Sequence, residues 1–200
     1  MDVSHNPGLE YLDCSNIGRL LEVNASNNPT LKFMKCSETM SLQPLDLTSC
    51  ISLEEFECEN SRLARLTLNN NPSLKKITCN NTQLSELYLA HCPMLEELYL
   101  VKANIINKID ISNNENIKII DIQHTDELVE IKGAHNLPNL RKVKLTETRL
   151  RFGSIPFRTT QVTEYDISFS SKFTTIDASA TSLIDLSTEY SFMNSVTNYD

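Results

Sequence analysis

Four histidines, six cysteines and twenty-six carboxylates are the residues of this 200-residue chain best suited to metal binding, nucleophilic attack or acid–base work. Their spacing supports none of the three. No C-x-x-C occurs, so thiolate metal ligation lacks its usual pair. His5, His91, His124 and His135 share one position of a recurrent segment, which Asn27, Ser49, Asn70 and Asn113 also occupy. They read as polar turn residues. His91 and His135 belong to segments two coils apart, about 10 Å at the strand spacing of a sheet, too far to share a metal ion. The sequences G-x-S-x-G, H-E-x-x-H, G-x-x-x-x-G-K-[ST] and G-x-G-x-x-G are all absent. No carboxylate pair is privileged by spacing, and four glycines leave little for a phosphate loop. The expectation is a non-catalytic chain with no metal and no cofactor.

The elements that would carry these residues come from a repeat. A unit L-x-x-L-x-L, with other small or apolar residues as substitutes, recurs every ten to twelve residues from Leu9-Leu12-Cys14 to Leu140-Val143-Leu145. Thirteen units in register exclude chance. Alternate units differ. Eight residues after the leading apolar position, every second unit carries Asn28, Cys50, Asn71, Cys92, Asn114 or Asn136. The other units place Ile17, Thr39, Ser61, Thr82, Ala103 and Thr125 there. The true period is therefore 21–22 residues, two unequal halves to a coil.

Alternation within L-x-L turns two apolar side chains inward, and stacked coils must bury them, since one coil cannot. The Asn/Cys positions form a structural ladder whose amides can bond the backbone of the coils above and below. Cys14, Cys36, Cys58 and Cys79 form an inward column of small apolar residues. No disulfide framework is expected, because in-register parallel neighbours point their thiols the same way.

Two stretches carry a resemblance: Leu66-Thr67-Leu68-Asn69-Asn70-Asn71-Pro72-Ser73-Leu74, and Ile77-Thr78-Cys79-Asn80-Asn81-Thr82-Gln83-Leu84. They resemble secreted or surface bacterial leucine-rich-repeat proteins with nested 10- and 11-residue halves. The expected fold is an α/β-type leucine-rich-repeat solenoid, mostly β with few or no helices, its short parallel strands wound in a right-handed coil. The resemblance implies an exported or cell-surface location and a recognition role, adhesion among the possibilities. It names no ligand.

Residues 1–149 are expected to form the solenoid, read as a fragment that starts in mid-repeat without a signal peptide. Residues 150–192 read as irregular repeats and a cap, where Phe152, Phe157, Phe173 and Phe192 would close the exposed end of the core. Residues 193–200 read as a tail. A net charge of −8 disfavours nucleic acid, and no stretch approaches the length of a membrane span.

The surfaces of the two halves differ. Glu10, Lys32, Glu54, Lys75, Glu96 and Lys118 alternate in sign down the Cys-bearing halves, a pattern that pairs with itself. The Asn-ladder halves expose a more varied and unpaired set. From it Arg65, Tyr88, Lys108 and Asp110 are the candidate binding residues for a protein or glycan ligand. A structural spacer presenting another domain is the alternative.

Overall fold

The computed structural model of the chain describes residues 1–134 and 137–148, and four further short strands as backbone. The strands are β1 (Tyr11–Asp13), β2 (Phe33–Lys35), β3 (Leu45–Asp46), β4 (Glu55–Glu57), β5 (Leu66–Thr67) and β6 (Lys76–Thr78). Next come β7 (Glu86–Tyr88), β8 (Glu97–Tyr99), β9 (Lys108–Asp110), β10 (Ile119–Asp121), β11 (Glu130–Lys132) and β12 (Lys142–Lys144). The last four are β13 (Glu164–Asp166), β14 (Thr175–Asp177), β15 (Asp185–Ser187) and β16 (Ser195–Thr197). There is no helix among the described residues.

The Cys-bearing halves build one continuous parallel sheet in the order β1-β2-β4-β6-β8-β10-β12-β13-β15. Tyr11 lies opposite Phe33, Glu55 opposite Lys76, and Glu97 opposite Ile119, so each coil stacks directly on the last. The Asn-ladder halves build a second face that is broken into β3-β5 and β7-β9-β11. The chain is thus a parallel-strand solenoid of the leucine-rich-repeat kind. Of residues 150–192, expected to hold irregular repeats and a cap, the backbone of β13, β14 and β15 is described, whereas Phe152, Phe157, Phe173 and Phe192 lie outside the described residues.

Between the faces runs a single core containing Leu31, Leu42, Leu53, Phe56, Leu74, Ile77 and Leu98, all buried. All six cysteines are buried and free. Burial pushes the thiols of Cys14 and Cys50 up to about 11 and that of Cys92 up to about 12. Cys36 is pushed up first by its contact with Cys58 and then by burial, and burial does the same to Cys79. Such thiols are poor nucleophiles at neutral pH. Thiol titration of denatured, unreduced protein should find all six; a lower count would mean that neighbouring coils are cross-linked.

The role of the Thr column in the turns, and a second turn column beside it, were not read from the sequence. In the Cys-bearing halves Thr39, Thr82 and Thr148 donate hydroxyl hydrogen bonds of 2.6–3.2 Å to the carbonyl three residues earlier. They satisfy a buried backbone oxygen that faces the core. Next to them Asn16, Glu38, Asn60, Asn81, Lys102, His124 and Glu147 all adopt positive φ, between 48° and 62°. Asn tolerates that conformation, whereas Glu and Lys do so at a cost. Stacking offsets it: the N–H groups of Glu38, Lys102 and His124 donate to the next coil at 2.8–2.9 Å. His124 also lies 2.8 Å from Glu147, while His5 and His91 are exposed turn residues. His135 is outside the described residues.

Candidate recognition surface

A leucine-rich coil offers a ligand only its outward residues and whatever backbone its neighbours leave unpaired. On the continuous face both are largely used up. Lys32, Lys75 and Lys118 each bond the glutamate of the preceding coil, Glu10, Glu54 and Glu96, at 2.6–3.0 Å. Lys35 pairs with Glu57 at 2.9 Å, and Lys76 sits 5.5 Å from the Tyr99 ring centre. The hydrogen bond from Lys75 holds the Glu54 carboxyl below its ordinary range. A shallow hollow of 250 Å³ bounded by Tyr11, Phe33, Glu55 and Lys76 interrupts this charged surface. The repeat pattern does not single it out, because the column through Tyr11, Phe33, Glu55 and Lys76 changes residue type at each coil.

The second face is governed by the Asn/Cys positions. Asn71 donates through Nδ2 to the carbonyls of Leu47 and Cys50 in the preceding coil, at 3.0 and 2.9 Å. Asn114 does the same to Leu89 and Cys92, at 3.0 and 2.6 Å, and Asn28 reaches Val3 at 3.1 Å. These cross-coil bonds run only to the preceding coil. The amide oxygens of Asn28, Asn71 and Asn114 are buried without a hydrogen-bond partner, because turning Nδ2 toward two carbonyls leaves Oδ1 facing no donor. Cys50 and Cys92 substitute a single long thiol contact, 3.6 Å to the Ala25 carbonyl and 3.9 Å to that of Leu68. Asn136 lies outside the described residues.

Sheet pairing follows this difference. Where an Asn coil follows, the second inward residue donates its N–H across the seam: Val3 to Asn24, Leu47 to Thr67 and Leu89 to Asp110, at 2.9–3.0 Å. Where a Cys coil follows, Ala25 and Leu68 make no such bond, and β5 and β7 belong to separate sheets. An amide that donates to two carbonyls holds the turn against its predecessor; a thiol, a weak donor to one distant carbonyl, does not. Each Asn→Cys step therefore leaves an open seam.

Replacing Asn71 by Leu should strand two buried carbonyls and cost about 1–3 kcal/mol. Hydrogen exchange at the Leu47 N–H should accelerate with it. An unchanged melting midpoint would show that the amide does not hold the coils together.

Both open seams form grooves. The first, of 390 Å³, is bounded by Glu22, Val23, Pro44 and Asp46. The second, of 490 Å³, is bounded by Arg65, Leu66, Leu68, Glu86 and Tyr88. Leu66 occupies an inward position, and it is half-buried where Leu45 and Leu87 in the flanking coils are buried. Arg65 makes no ion pair among the described residues, since the register sets Pro44 opposite it and Glu86 lies across the seam. Tyr88 is 56% exposed and donates to Glu86 at 2.8 Å.

The other two candidates are placed differently. Lys108 pairs with Glu130 at 3.8 Å, and Asp110 with Lys132 at 2.9 Å. The expectation of an unpaired second face is corrected here: β9 and β11 pair in register, which sets opposite charges side by side. Burial alone would raise the Asp110 carboxyl, but hydrogen bonds from Ser112 and Lys132 outweigh it and hold it low. Arg65 and Tyr88 share a groove, whereas Lys108 and Asp110 sit farther along in a closed part of the sheet.

Nothing among the described residues forms a cluster of three or more metal-capable side chains, and no helix among them is long and apolar enough to cross a membrane. No family model and no curated protein matches the chain. Among solved structures it is similar to one described as the functional domain of InlJ from Listeria monocytogenes, which includes a cysteine ladder. The TM-score is 0.61 at 22% identity, over 88% of this chain and 47% of that one. The chain therefore spans about half the length of that relative.

Proposed function

We propose that this solenoid is a non-catalytic recognition segment of an exported or surface protein, adhesin-like in use. It engages a protein ligand through the second face around Arg65 and Tyr88, with Lys108 and Asp110 at the edge of the contact. One observation carries the reading: Arg65, without an ion pair among the described residues, and an exposed tyrosine line the same groove, whereas the lysines of the alternating column on the continuous face are held by glutamates. Arg and Tyr supply much of the energy of protein contacts when a groove desolvates them.

The self-paired Glu–Lys column of the continuous face favours a second reading, a stiff spacer with no ligand of its own. The test is binding of the fluorescently labelled chain to mammalian cell surfaces, to an extracellular-protein array and to a glycan array. Expected is saturable protein binding that falls at least about tenfold in the Arg65→Ala/Tyr88→Ala variant. A Lys32→Ala/Lys75→Ala variant should bind like the parent. Binding to nothing on any surface supports the spacer, and binding to glycans alone removes the protein ligand.

A further inference from the structure

We propose that the open seam between β5 and β7 takes an extended peptide segment, which pairs main chain to main chain with the free edge of β5. This rests on the recognition reading above and specifies its partner. Three features of the groove select the occupant. First, the β5 edge that faces β7 carries no sheet hydrogen bonds. The Leu68 N–H lacks the bond that Leu47 and Leu89 make in the closed seams. Unpaired strand edges are templates for another strand, which supplies donors and acceptors at the right repeat. Second, half-buried Leu66 offers apolar contact to one alternate side chain of that strand. Third, Arg65 at the rim lacks an ion pair among the described residues, so an acidic side chain next to the apolar one completes the match. A glycan would meet the backbone groups but not the alternation of apolar and acidic contacts.

The coils on either side stay joined through β6 and β8 on the opposite face, so the seam opens outward without dividing the solenoid. Cys92 keeps it open from a distance. Its thiol reaches only the Leu68 carbonyl, at 3.9 Å, where an asparagine would reach two carbonyls.

The test uses the full chain and a capped hexapeptide of alternating valine and glutamate. Its valine–lysine counterpart and maltohexaose serve as the competing classes. Hydrogen exchange at the Leu66 and Leu68 N–H groups should slow at least about tenfold with the valine–glutamate peptide, and far less with the other two. Cys92→Asn should protect Leu68 in the free protein and abolish peptide binding. Arg65→Ala, an exposed change that leaves the core intact, should weaken binding several-fold and erase the preference for glutamate. Unaltered exchange at Leu68, equal protection by maltohexaose, or full peptide binding in a Cys92→Asn protein whose Leu68 is already protected would each overturn the proposal. If the Arg65→Ala/Tyr88→Ala variant still loses a protein ligand while Leu68 is unaffected by peptide, recognition stands and strand pairing falls.

Discussion

Replacing Phe56 by alanine should lower the stability of the solenoid by about 3–5 kcal/mol, read as a fall in the urea midpoint. Phe56 is the largest fully buried side chain among the described residues, and its strand β4 lies between β2 and β6 with Met34 and Ile77 in register on either side. A stacked array gives each coil only two neighbours, so a void at that level weakens the contacts above and below it together. No third element can close over the gap. A loss under about 1 kcal/mol would mean that the coils collapse onto the space, and the core would then be far softer than its burial implies.

Gly133→Ala should be nearly as damaging, for a different reason. Gly133 has φ of +89°, and a Cβ there would meet the Ser112 backbone and come within 2.8 Å of the Ile111 carbonyl carbon. The conformational strain and the steric clash together amount to about 2–5 kcal/mol. The coil beginning at Leu128 should bear the loss first. Hydrogen exchange across Ile131 and Val143 should accelerate well before that across Leu31 and Leu53. Uniform acceleration along the chain would show that the solenoid unfolds as one unit.

Gly133 also shows how far the sequence could be read. It occupies the third apolar slot of L-x-x-L-x-L, in the unit Leu128-Ile131-Gly133. The structure gives it a backbone role that no count of apolar positions contains. Coil length, stacking order and the inward columns were legible because burial repeats with the chain. The broken second face was not. Leu63-Leu66-Leu68 and Leu42-Leu45-Leu47 have the same pattern, yet the seam to the following coil is open for the first and closed for the second. The discriminating signal lay outside those motifs, in the Asn/Cys alternation, which was visible without its consequence. Residue type alone pointed to Arg65 and Tyr88, whereas the ion pairs of Lys108 and Asp110 needed the register. The positive-φ column was hidden because Glu38, Lys102 and Glu147 interrupt its asparagines.

The same alternation limits how this array can change length. Asn and Cys exchange places at every coil from Asn28 to Asn114, in step with the Lys and Glu of the column from Glu10 to Lys118. Removing a single coil, residues 54–74, would set Lys75 beside Lys32 and Cys92 after Cys50, leaving two cations adjacent and two open seams in succession. Removing two coils, residues 54–95, restores Lys32 beside Glu96 and Cys50 before Asn114. Growth or shortening by recombination should therefore be tolerated in coil pairs and resisted in odd numbers, so that the indivisible module of this stretch is two turns long.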